Sequence, residues 1–208
     1  MLLALSACQV QISADINVTE NGSGQVTVVV IADGATLRAA PELVDSLQLD
    51  DLRDAGWTAT VQNPTADGGA GVTLVHSFNT PNEATVLLTE LSGPRGPLRD
   101  FVLERTGRTN DSTFTFTGVG GLPDGTSSFA DSEALVALGA APFATTIEEL
   151  GVQLTDVLQV SLRLTLPGEP IDTNGTLAAR ENDDLVSTFE WQVPVESADE
   201  IKIGRAHV

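Results

Sequence analysis

"VQISADINVTENGSGQVTVVVI", residues 10–31, decides how the rest of the chain is read. Val10, Ile12, Ala14, Ile16 and Val18 alternate with Gln11, Ser13, Asp15 and Asn17. A period of two puts one set on a buried face and the other on a solvated one, which is a half-buried strand. Asn21-Gly22-Ser23-Gly24 follows, supplying residues that tolerate the positive φ of a tight turn. Val26 to Ile31 is then a largely β-branched run with high strand preference. The stretch predicts a β-hairpin, and the same alternation recurs downstream.

Trp57 to Val61 and Val72 to Phe78 flank the glycine-rich Asp67–Gly71 and predict a second hairpin. Phe101–Arg105, Ser112–Val119, Val157–Leu166 and Leu185–Val195 predict further strands. Val157–Leu166 alternates most regularly, with Leu158, Val160, Leu162, Leu164 and Leu166 opposed to Gln159, Ser161, Arg163 and Thr165. Asn174-Gly175 is a turn signal. Between the strands, Pro41–Asp54 carries leucines at helical spacing, with Gly56 as a stop. Thr80, Pro81 and Glu83 form the start signature of a helix, and Ala84, Leu87, Leu88 and Leu91 supply its apolar stripe. Gly93-Pro94 ends it. Asp131–Leu138 and Thr145–Leu150 predict short helices. The expected fold is α+β: a mostly antiparallel sheet built from hairpins, with two to four helices packed on one face.

Working outward to the ends, Leu5-Ser6-Ala7-Cys8 fits a bacterial lipobox, an aliphatic residue and two small ones before cysteine. Small side chains fit the signal peptidase pocket, and a free thiol takes a diacylglyceryl group. The apolar segment before it is short and carries no basic residue, so residues 1–7 read as the remnant of a signal peptide. The competing reading is an ordinary buried cysteine. Ile203–Val208 reads as one frame of a common sequencing adapter and is set aside from the fold. One domain spanning residues 8–202 is expected, with the natural C-terminus missing.

The chain has 208 residues, 29 acids against 10 bases, and a formal net charge of -19. Its length allows a sizeable core in one domain. The acidic balance excludes nucleic acid as a partner, since binding it needs a basic surface. With no cysteine besides Cys8 there is no disulfide framework. Lysine occurs once, at Lys202, and Thr, Val, Ala, Gly and Asp abound, a bias of GC-rich bacterial genomes. Glycosylation sequons begin at Asn17, Asn21, Asn110 and Asn174, and turn chemistry explains them. No run reaches the ~18 apolar residues of a membrane span.

The inventory of reactive groups is poor. His76 falls in step with Val72, Leu74 and Phe78 and reads as a core or rim histidine. As a catalytic residue it would lack a nucleophile elbow, and as a metal ligand it would lack partners. Glu148-Glu149 and Asp183-Asp184 are adjacent, so their side chains point apart rather than pairing. Asp172–Gly175 begins like a calcium loop, but its glycine comes too early for an EF-hand. Asp67–Gly71 lacks a P-loop lysine. No catalytic residue, metal or cofactor is expected.

"CQVQISADINV", "SGQVTVVVIA", "LRDAGW", "GVTLVHSFNTPNEATVLLTEL" and "DLVSTFEWQVPVE" together resemble the LppM-type lipoproteins of actinobacteria, a family of unknown function. The resemblance runs from Cys8 to about Lys202. It implies a lipoprotein on the outer face of the cytoplasmic membrane, anchored through lipidated Cys8. It also implies an α+β domain similar to lipid-binding folds, an association with envelope glycolipids such as phosphatidylinositol mannosides, and a transmembrane helix after the domain. Cys8 is the one functional position it carries over; ligand-contacting residues remain unknown.

Three functional readings follow. The first is a non-enzymatic lipoprotein that binds a lipid or glycolipid in a cavity between sheet and helices. The Leu87–Leu91 stripe and the Leu158–Leu166 face would line such a cavity, and the same residues would equally fill a core. The second is a structural or interaction module of the envelope without a cavity, whose protein partners the sequence does not identify. The third, a hydrolase, would need a site that this inventory does not supply.

Overall fold

The structure, a computed structural model, describes residues 9–39, 49–62, 68–92, 95–108, 111–122, 124–125, 153–181, 186–195 and 198–207. The opening hairpin forms as its alternation requires. Strand β1 (Val10–Val18) pairs antiparallel with β2 (Gly24–Ala32), from Val10 opposite Ala32 to Val18 opposite Gly24. Thr19 and Asn21 tie the turn together: Asn21 Oδ1 accepts the Ser23 N–H at 2.9 Å.

A short helix α1 (Gly34–Ala39) follows β2, and α2 (Leu49–Asp54) precedes β3 (Thr58–Gln62). Sequence reasoning missed α1, which has a capping aspartate but only six residues and no apolar stripe. Of the helix predicted over residues 41–54, only α2 falls within the described residues. Gly56 ends it at φ +93, a backbone conformation that favours glycine. Strand β4 (Ala70–Phe78) pairs with β3 on one side and β2 on the other.

Helix α3 (Pro81–Ser92) starts where its signature predicts. Thr80 Oγ1 accepts the Glu83 N–H at 3.2 Å, but the Glu83 carboxylate takes the N–H of Asn79, 2.7 Å away. The return bond thus reaches one residue beyond the cap. Gly93-Pro94 and the predicted helices at 131–138 and 145–150 lie outside the described residues.

Strands β5 (Leu98–Arg108) and β6 (Asp111–Gly121) are longer than their apolar patterns. A single helical turn, α4 (Leu154–Val157), takes Val157 away from the predicted strand, and β7 (Leu158–Pro167) begins one residue later. Strands β8 (Glu169–Thr173) and β9 (Thr176–Glu181) were not predicted, because neither alternates. Strand β10 (Val186–Val193) closes the predicted series. Residues 203–207, set aside in the sequence reading, continue β11 (Ala198–His207), with Ile203 opposite Phe116 and His207 opposite Thr113.

Among the described residues the strands form two sheets: seven strands ordered β3-β4-β2-β1-β7-β10-β9, and four ordered β5-β6-β11-β8. The expected α+β fold with a mostly antiparallel sheet is what forms. Its one parallel pair among the described residues, β1 with β7, joins residues about 150 apart, such as Ala14 and Leu162. Asn174-Gly175 is a turn, but it carries the chain from the small sheet (β8) to the large one (β9) rather than closing a hairpin.

Register aligns the apolar residues across the large sheet. Leu74, Val28, Ala14, Leu162 and Trp191 stand on one rung, and Val26, Ile16, Leu164 and Phe189 on the next. These faces share a single core with Leu98, Phe101, Leu103, Phe114 and Phe116 of the small sheet and with Ala84, Leu87 and Leu88 of α3. Each such side chain withdrawn from water contributes about 1.5–3 kcal/mol.

Candidate functional site

The residue after Cys8 is held at once. The Gln9 carbonyl accepts the backbone N–H of Asp33 at 3.0 Å and the Thr36 hydroxyl at 3.3 Å. Asp33 is itself fixed as the cap of α1, its carboxylate accepting the Thr36 N–H at 2.7 Å. The end of β2 and the start of α1 therefore grip the chain where it enters the domain. Cys8 itself lies outside the described residues. The grip joins residues 24 and 27 positions apart, so no local pattern announced it.

The apolar faces named as candidate cavity walls are buried. Leu162, Leu164 and Leu166 are 0% exposed, as are Phe114, Phe116 and Phe189 in the same core. No water-sized space touches these side chains, so the middle of the β7 face is packed. Leu87 and Leu88 are buried too; the side chain of Leu91 lies outside the described set. Partly buried apolar residues instead ring the core: Val10, Ile12, Val30, Leu49, Leu52, Ala59 and Leu154. Val10, Ile12, Val30 and Leu154 gather at the end where β1 begins. Val10 is opposite Leu158, the residue after α4, and Ile12 is opposite both Val30 and Val160.

Along β1 and β7 the opposite face of the large sheet is polar. Asp15, Arg163 and Glu190 stand side by side on β1, β7 and β10. Arg163 Nε lies 3.7 Å from Asp15 Oδ1, and its Nη2 lies 3.5 Å from Glu190 Oε2. Burial pushes the Asp15 carboxyl above its ordinary value; Arg163 opposes the shift and Glu190 adds to it. Each residue was visible on the polar side of its strand, but their meeting depends on register alone.

His76 occupies the rim predicted for it. Its Nδ1 lies 2.7 Å from the Ser77 carbonyl oxygen, its ring meets Trp57 edge-on at 5.3 Å, and Gly56 lies against its Nε2 side. No group of metal-ligating side chains forms among the described residues. Asp172–Gly175 is used structurally: Asn174 Oδ1 accepts the Trp191 indole N–H at 2.9 Å. Glu148-Glu149 and Asp183-Asp184 lie outside the described residues. Among the described residues, no helix is long and apolar enough to cross a membrane.

No protein-family model matches the chain, and no curated protein matches it. Among solved structures, it is similar to the solution NMR structure of the folded domain of the LppM protein of Mycobacterium tuberculosis. That alignment covers 100% of this chain and 94% of the other, at 13% sequence identity and a TM-score of 0.43.

Proposed function

We propose that this chain is a non-enzymatic lipoprotein of the bacterial cell envelope. Lipidated Cys8 anchors it at the outer face of the cytoplasmic membrane, and the domain binds a lipid or glycolipid. The observation that carries the reading is the contrast inside the apolar core. Its centre is packed, whereas four half-buried apolar residues, Val10, Ile12, Val30 and Leu154, gather beside the point where the chain leaves for Cys8. An acyl chain reaching that end would cover Val10, Ile12, Val30 and Leu154 without opening the middle of the β7 face. The lipobox, and the resemblance of the surrounding segments to LppM-type lipoproteins, support the anchor.

A second reading, an interaction module without a ligand cavity, is favoured by the zero exposure of Leu162, Leu164 and Leu166. The two are separated by native mass spectrometry of the full chain after incubation with envelope phospholipids and glycolipids. Retention of one lipid per chain supports the first reading. Lipid-free protein across the whole panel overturns it in favour of the second.

A further inference from the structure

We infer that the end of the domain where β1 begins is laid against the bilayer in a fixed orientation, with no mobile stalk between fold and lipid. The inference rests on the reading of Cys8 as the lipidated residue and adds to it a membrane-facing surface.

A lipid anchor alone leaves orientation open, because a flexible leader would let the domain tumble above the membrane. Here the residue next to Cys8 is itself held by the fold. Consecutive Cα atoms lie about 3.8 Å apart, and Gln9, next to Cys8, is already bound through its carbonyl to Asp33 and Thr36. The tether therefore pulls directly on the junction of β1, β2 and α1.

Register identifies what else shares that end. Val10 lies opposite Ala32 and Leu158, and Ala32 opposite Ala70. The small sheet reaches the same end: the Leu122 N–H donates to the Pro194 carbonyl at 3.2 Å, just past the close of β10. The nine residues of β1 rise about 30 Å to the opposite end, where Gly22 packs against Pro81 and Arg105.

The half-buried Val10 and Leu154 add apolar surface at the end where β1 begins.

The test uses the full chain, coupled through its sole thiol to a maleimide lipid in phosphatidylcholine vesicles that carry a headgroup nitroxide lipid. A dye is placed by azide chemistry at Arg38→p-azidophenylalanine in one sample and at Glu20→p-azidophenylalanine in another. Quenching several times stronger at position 38 is expected, and ten Gly/Ser residues inserted between Cys8 and Gln9 should abolish the contrast. Equal quenching at the two positions, or a contrast that survives the linker, overturns the inference. Acylation in cells is read separately, by mass spectrometry of the Cys8 peptide. An unmodified Cys8 there would sink the anchor reading without touching the vesicle result.

Discussion

Thr85 Oγ1, on α3, accepts the backbone N–H of Leu103 at 3.0 Å, while the same hydroxyl donates to the Pro81 carbonyl at 3.2 Å. Strand β5 is an edge of the small sheet, so this N–H points away from β6 and would otherwise stand unpaired. Edges left open invite pairing with other chains, and a helix laid along one is a common protection. Here a side chain of α3 supplies the acceptor. Thr85→Val keeps the shape and removes the acceptor beside a buried residue. A loss of about 1–2 kcal/mol is expected, read as a lower urea midpoint, and Thr85→Ser should recover most of it.

Phe101 lies across Gly118 on the neighbouring strand. Arg99 pairs with Val119 and Val102 with Thr117, so Asp100 and Phe101 together oppose Gly118 in a bulge. Asp100 takes φ 56 to make that bulge, and Phe101 stacks on Phe116 at 5.0 Å. A Cβ at position 118 would fall 1.9 Å from Phe101 Cδ1. Gly118→Ala should therefore cost about 3 kcal/mol through overpacking. In a double-mutant cycle, Phe101→Leu should cost less in the Gly118→Ala background than in the parent; additive costs would show that the two positions are not coupled.

The turn at Asn174-Gly175 works as a lid on Trp191. Asn174 bonds the indole N–H, and a Cβ on Gly175 would stand 2.5 Å from Trp191 Cε2. Asn174→Ala leaves a largely buried donor without this acceptor, and a loss of about 1–3 kcal/mol is expected. Gly175→Ala should displace the turn and shift the Trp191 emission, while Trp57→Phe removes the other tryptophan from the signal. Emission unchanged in Gly175→Ala would contradict the close packing.

Asp15 links stability to pH. Burial, opposed by Arg163 and reinforced by Glu190, raises its folded pKa above the ordinary 3.8. The folded state then holds the proton more tightly than the unfolded state does. Stability contributed by the protonated carboxyl is present at low pH and is lost as pH rises through the raised folded value. Asp15→Asn should flatten the stability profile in that window. Arg163→Gln removes the opposing charge and should move the loss to higher pH. Urea midpoints measured from about pH 4 to 7 check both, and a profile of Asp15→Asn that matches the parent would refute the assignment.

Legibility along the chain followed the range of the interactions involved. The start of α3 was readable because Thr80 and Glu83 act within one turn. Even there, the partner of the Glu83 carboxylate moved to Asn79. Helix α1 was not readable, since six residues leave no room for an apolar period to repeat. Strands β8 and β9 escaped because Glu169-Pro170-Ile171 and Thr176–Ala179 lie largely exposed and show no alternation. The triad of Asp15, Arg163 and Glu190 was invisible as a group, though each member's face was known.

Alternation, capping residues and turn glycines determined, without any structure, which side chains of the alternating strands turn inward and where α3 starts. These are properties of neighbours a few bonds apart. The division into two sheets, the parallel join of β1 to β7 and the grip of Asp33 and Thr36 on Gln9 were decided in three dimensions. A strand's outward N–H and C=O groups accept any partner of matching register, and apolar burial is indifferent to which residue supplies the cover. Choice among partners therefore rests with the packing of the whole core.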